Sequence, residues 1–187
     1  MPYSQLDRSR IIMKPLSERE NKKFIERDCV TVDQHPRELP KQDKKILDDT
    51  ILRIKEARKK SKPVMITFGA HTIKNGLAPV LNGLMEKGWF THLATNGAGI
   101  IHDWEFSYQG KSSENVGANV TKGEFGNWQE TGYYINLALN VGSFEKKGYG
   151  ESIGAMIQNE SLTIPSEIEL TRIMKNNIND DPSLVAR

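Results

Sequence analysis

Two short turns carry the residue types best suited to hold a ligand. Gly69-Ala70-His71-Thr72 follows the apolar run Val64 to Phe68, and Thr95-Asn96-Gly97-Ala98 closes a second run that begins at Trp89. Glycine at such a turn lets the backbone come close to a bound group, and backbone N–H groups opening a helix face an anion such as a pyrophosphate. His71 lies within the first turn. His102 follows the second, with Asp103 beside it. An imidazole can take up or release a proton near neutrality. The plainer reading of either histidine is a surface or hydrogen-bonded side chain. Their shared place just after strand ends sets them apart from His35 and His92, and no spacing among the four histidines suggests a metal site.

The elements around these turns form a βαβ unit by their pattern. Val64-Met65-Ile66-Thr67-Phe68, bounded by Pro63 and Gly69, reads as a strand buried on both faces, as a parallel sheet requires. Leu77, Val80, Leu81, Leu84 and Met85 then share one face of a helix. Pro79 is tolerated only in a first turn, so this helix begins near Leu77 or Ala78, and Gly88 ends it in a left-handed conformation. Gly76, Gly83 and Gly88 also have a plainer use, close packing of helices. The run Trp89 to Thr95 is the second strand, breaking at Asn96-Gly97-Ala98-Gly99. Both glycine turns thus fall at the carboxyl ends of parallel strands, the edge where open α/β sheets bind ligands.

The flanks are read from caps and periodicity. Residues 1–40 form an arm, lying on the body or on a neighbouring subunit, with a flexible tail as the alternative. Within it, Ser17-Glu18-Arg19-Glu20 reads as a capping box opening a polar helix to about Arg27, and Cys29 to Val32 as extended chain. From Lys41 to Lys60 a helix places Ile46, Leu47, Ile51, Leu52, Ile54 and Ala57 on one broad face, with the cations Arg58 to Lys62 solvated at its C-terminus. Tyr108 to Asn119 has loop composition. Helices follow over Trp128 to Asn140 and Gly150 to Asn159, separated at Gly142, and a third starts at Ser166 with Glu169 completing its cap and runs to about Asn177. Asp181-Pro182 opens another with barely a turn of chain after it. Two strands are few for a sheet, so residues 41–187 read as the first part of a larger α/β domain.

Composition excludes several classes of function. With 187 residues, 37% hydrophobic and 27% charged, the chain can bury one ordinary core. A net charge of +2 gives no reason to expect nucleic acid or an anionic membrane as partner. The polar N-terminus lacks the apolar core of a signal peptide, no apolar run approaches membrane-spanning length, and the single Cys29 builds no internal disulfide, so a cytoplasmic home is expected.

Several segments resemble one family. Thr95-Asn96-Gly97-Ala98-Gly99-Ile100-Ile101-His102-Asp103 is similar to the threonine-alanine-glycine-glycine turn of the deoxyhypusine synthases. Glu105-Phe106-Ser107-Tyr108-Gln109-Gly110-Lys111, followed by Glu114-Asn115, resembles that family's Glu-Phe-Ser-x-Arg-Gly-Lys segment. Ile73-Lys74-Asn75-Gly76-Leu77 fits the start of its first crossover helix. Thr163-Ile164-Pro165-Ser166-Glu167-Ile168 and Asn179-Asp180-Asp181-Pro182-Ser183 resemble its Thr-Pro-Ser and Asn-Pro-Glu-Ser landmarks. The segments are collinear over residues 63 to 187, while residues 1 to 62 match only in general character.

The resemblance implies a Rossmann-like parallel sheet that binds NAD at its strand ends. Gly69, Ala70, His71, Thr72, Thr95, Asn96, Gly97 and Ala98 would line the cofactor, with His102 and Asp103 on the substrate side. It further implies a homotetramer with active sites between subunits, and aminobutyl transfer from a polyamine such as spermidine, through an enzyme lysine, to an acceptor amine. This chain departs from the pattern in four ways. The family's Thr-Ser-Asn-Leu loop falls on Gly69-Ala70-His71-Thr72, its acidic pair on Ile101-His102, and its Arg-Gly-Lys arginine on Gln109. Its catalytic lysine belongs to a part beyond Arg187, so this chain by itself is expected to be inactive. Two other readings stand beside this one: a non-catalytic nucleotide-binding or oligomerisation module, and an enzyme of this fold acting on a different substrate.

Overall fold

The opening arm forms no polar helix from Ser17 to Arg27. The computed structural model, which describes residues 3–178, has over that stretch a 3₁₀ turn at Leu16–Glu18, then β1 (Asn21–Phe24) and the single-turn α1 (Ile25–Asp28). Capping by Ser17 would contribute about 1 kcal/mol. Extended chain instead lets Leu16, 1% exposed, and the neighbouring Arg19 reach the interior. The arm lies on the body from Lys14 onward. Lys14 N–H donates to the Asn127 carbonyl, Gln129 N–H donates to the Lys14 carbonyl, and Leu16 N–H donates to the Glu130 carboxylate.

The helix expected next is present as α2 (Lys41–Lys59). Its apolar stripe is not covered: Ile46 is 60% exposed, and Leu47 and Ile51 also reach solvent. Leu52, six residues after Ile46, falls off the stripe. Arg58 is more than a solvated cation, because its guanidinium donates to the carbonyls of Gly88 (2.6 Å) and Lys62 (2.7 Å) and ties the end of α2 to the crossover.

That crossover is β2 (Met65–Thr67), α3 (Ala70–Lys74), α4 (Ala78–Glu86) and β3 (His92–Ala94), followed by α5 (Gly97–Gln109). β2 and β3 are parallel, with Met65 opposite His92 and Thr67 opposite Ala94. β2 is not buried on both faces. Met65 is 62% exposed, because among the described residues only the opposite face of the β2–β3 pair is packed, the face of Ile66 and Phe68. On that face Ile66, Phe68 and Ala78 close over Ile73, Leu81 and Phe106, each fully buried apolar chain contributing about 1.5–3 kcal/mol. The helix from Ala78 with Pro79 in its first turn, and the left-handed Gly88 (φ +70°) after it, are as the residues predict.

Asn96-Gly97-Ala98-Gly99, the turn that ends the second strand, opens α5, which Gly110 (φ +68°) terminates. Tyr108 to Asn119 is not a loop, since it holds the end of α5, then β4 (Lys111–Glu114) and α6 (Val116–Thr121). β4 runs antiparallel to β1, with Asn21 opposite Glu114 and Lys23 opposite Ser112. Its serines are buried, so their polarity disguises a strand.

The residues group into two compact units, Met1–Gly132 and Tyr133–Arg187. The helix α7 (Gln129–Phe144) starts in the first and continues in the second, which also holds α8 (Tyr149–Asn159) and α9 (Glu167–Ile178). Glu169 N–H donates to the Ser166 hydroxyl, the cap expected there. Gly142 does not separate helices; α7 runs through it. An added Cβ there would overlap the Ser152 hydroxyl and lie 2.5 Å from its Cβ, so the missing side chain lets α7 and α8 close on each other. Gly142→Ala is therefore expected to cost about 1–3 kcal/mol despite the better helix propensity of alanine. Urea denaturation should show this loss, with partial recovery in Gly142→Ala/Ser152→Gly; an unchanged midpoint would refute the close approach. The helix start at Asp181-Pro182 and the landmark Asn179 to Ser183 lie outside the described residues.

Candidate functional site

Parallel pairing of β2 and β3 sets the two turns side by side. Phe68 N–H donates to the Ala94 carbonyl at 3.0 Å, carrying the ladder up to them. Gly69 then caps α3 and Asn96 caps α5, and the two helices pack together. The first-turn amides of Ala70, His71, Gly97 and Ala98 have no acceptor one turn earlier, which leaves a row of donors at one edge. Asn96 Oδ1 accepts from Gly99 N at 3.1 Å, and Thr72 N–H donates to the Gly69 carbonyl. Thr95 is exposed, its Oγ1 lying where a side chain on Gly99 would go. All eight residues expected at a cofactor thus share one edge. Gly69 is informative: its backbone (φ −92°, ψ 177°) suits any residue, and an added Cβ would meet nothing within 4 Å. The fold does not need glycine there.

A buried polar network begins one and a half turns into α5. His102, half-buried, has Nδ1 2.7 Å from Ser112 Oγ, and Ser112 donates to Glu105 Oε2 at 2.5 Å. Glu105, 1% exposed, is gripped by Arg19, with Nη1 on Oε1 and Nη2 on Oε2, both at 2.7 Å. Thr131 Oγ1 donates to Oε1 at 3.0 Å. Arg19 also donates from Nε and Nη2 to Asn21 Oδ1 and stands 5.6 Å from the ring centre of Trp128. Burial lowers the His102 pKa below its ordinary 6.5; Glu105 opposes that shift, while Lys74, Arg19 and His71 add to it. The imidazole is therefore neutral at pH 7. The neighbouring Asp103 reaches solvent, yet the protein around its carboxyl raises it above the usual carboxylate range.

Sequence reading did not find Arg19, Ser112 or Thr131, and it gave Glu105 no role. One signal was present: a glutamate between Trp104 and Phe106, in a helix whose neighbours are buried, must have a partner. That partner lies 86 residues earlier, beyond any local pattern. Among the described residues no group of three or more His, Cys, Asp or Glu side chains is placed to hold a metal ion, and no helix is long and apolar enough to cross a membrane. Comparison with protein-family models, with curated proteins and with solved structures finds no match for this chain.

Proposed function

We propose that the edge formed by Gly69 to Thr72 and Thr95 to Ala98 binds NAD, in a Rossmann-like domain of deoxyhypusine synthase type whose complete enzyme transfers an aminobutyl group from a polyamine. The observation that carries this reading is the open space at Gly69, beside two adjacent helix starts, where glycine serves no need of the fold. The collinear segments from Pro63 onward support it. The donors of Ala70, His71, Gly97 and Ala98 fit a pyrophosphate, and the open space at Gly69 leaves room for its approach. When bound, NAD supplies a hydride acceptor. The homo-oligomer that the resemblance implies would cover the apolar stripe of α2.

One observation favours an enzyme of the same fold with a different substrate. Where the family has an acidic pair, this chain has Ile101 and a neutral His102, and a neutral imidazole attracts an ammonium less than a carboxylate does. A less cationic substrate than spermidine follows.

The test of the cofactor site is Gly69→Val. Valine suits the extended backbone at this position, so the far-ultraviolet circular dichroism and thermal midpoint should not change. Its side chain would occupy the open space and weaken NAD binding at least about tenfold, roughly 1.4 kcal/mol. In wild type, NAD titration should move the amide resonances of Ala70, His71, Gly97 and Ala98. Equal affinity in the two proteins, or shifts confined to other residues, would reject the assignment.

A further inference from the structure

We propose that His102 is a proton acceptor through Nε2, held as the Nδ1–H tautomer by Ser112, and that its ligand is a small hydroxyl-bearing anion whose charge pairs with Lys74. Ser112 has one hydroxyl proton, and the 2.5 Å bond directs it to Glu105 Oε2. Glu105 accepts from both guanidinium nitrogens of Arg19 and from Thr131, so it is an ionised acceptor with no proton to return. The 2.7 Å contact between Ser112 and His102 then has one sense: Nδ1–H donates to Oγ. The lone pair therefore sits on Nε2, which makes no hydrogen bond among the described residues. Ser112 and Glu105 are positioning residues, one fixing the tautomer and the other orienting the serine.

The charge around the ring selects the ligand. Proton transfer breaks the ligand O–H bond, leaves its electron pair on oxygen and forms Nε2–H, so an imidazolium appears. Glu105, on the same helix, favours that charge, but Arg19 already matches it. From the facing helix α3, Lys74 and His71 oppose it, and Asp103 next in α5 reaches solvent. Lys74 is half-buried, and its ammonium makes no ion pair or hydrogen bond among the described residues. An anionic group on the ligand would answer both Lys74 and the new imidazolium, whereas a polyammonium chain would meet repulsion. This deepens the reading of a less cationic substrate and does not depend on a nucleotide at the strand ends.

Nitrogen-15 imidazole spectra of the protein at pH 7.5, without NAD, test the tautomer directly. Wild type should show a protonated Nδ1 and a lone-pair Nε2, and Ser112→Ala should lose that preference. An Nε2–H tautomer in wild type would overturn the proposal whatever the variant does. Titration with glycolate should then perturb His102 and Lys74, acetate should bind more weakly for want of the hydroxyl, and spermidine should leave His102 unmoved. Lys74→Met should weaken glycolate binding about tenfold. No response to glycolate, acetate binding as tightly, or perturbation by spermidine would each overturn the ligand class. Amide shifts with NAD at Ala70 and Gly97 are a separate readout, so failure of the nucleotide reading is distinguishable from failure of this one.

Discussion

Glu105→Ala is expected to lower the free energy of unfolding by about 3–5 kcal/mol, the penalty for leaving one member of a buried ion pair alone. The side chains of Arg19 and Glu105 are 3% and 2% exposed, so water cannot replace the lost partner. Arg19 would keep Asn21 and the Trp128 ring but no counter-ion, and the hydroxyls of Ser112 and Thr131 would lose their acceptor. Such a loss is a large share of the roughly 5–15 kcal/mol that holds a domain folded. The damage should extend to the β1–β4 pair, because Arg19 leads into β1 and Ser112 belongs to β4. Replacing both partners, as Arg19→Met with Glu105→Leu, should recover much of the stability, since an apolar pair has no charge to strand. Urea denaturation at pH 7 measures all three proteins. A loss below about 1 kcal/mol in Glu105→Ala, the range of an exposed pair, would mean that the network does not form in solution.

Gly76→Ala is the second large effect, at about 2–5 kcal/mol. Gly76 has φ +82°, a conformation that costs an L side chain about 1–2 kcal/mol. A Cβ there would also overlap the Asp28 carbonyl oxygen and stand 2.7 Å from its carbon and 2.8 Å from Cys29 Cα. These are backbone atoms that cannot rotate aside, and overpacking of this kind costs about 1–3 kcal/mol more. Val30 N–H donates to the Gly76 carbonyl at 2.9 Å, so the arm would be pushed from the crossover it rests on. Gly88→Ala is the control, with a similar φ of +70° but nothing within 4 Å of an added Cβ. It should show the conformational cost alone. Equal losses in the two variants would mean that the arm does not lie against Gly76.

Much of the candidate site was legible because it is built from local chemistry. A proline allowed only in a first turn placed α4, and a glycine suited to a left-handed residue ended it. Apolar runs stopped by Gly69 and by Asn96 placed both strand ends, and with them the eight residues for which a cofactor is proposed. The errors share a cause as well. The stretch Tyr108 to Asn119 has the composition of a loop, yet Ser112 within it is a buried hydrogen-bonded strand residue. Gly142 read as a break because its contact with Ser152 is invisible along the chain.

By itself the sequence determined α2, α4, α8 and α9, the order strand–helix–strand, and the two turns between strand and helix. Caps, prolines and apolar spacing act within one or two turns of chain, so their free energy is written into neighbouring residues. Only the tertiary structure decided the fate of the arm, the pairing of β1 with β4, and the joining of Arg19 to Glu105 across 86 residues. It alone decided which nitrogen of His102 carries the proton. That choice belongs to Ser112 in a strand and Glu105 in a helix, whose meeting is a property of the packed chain and of no stretch within it.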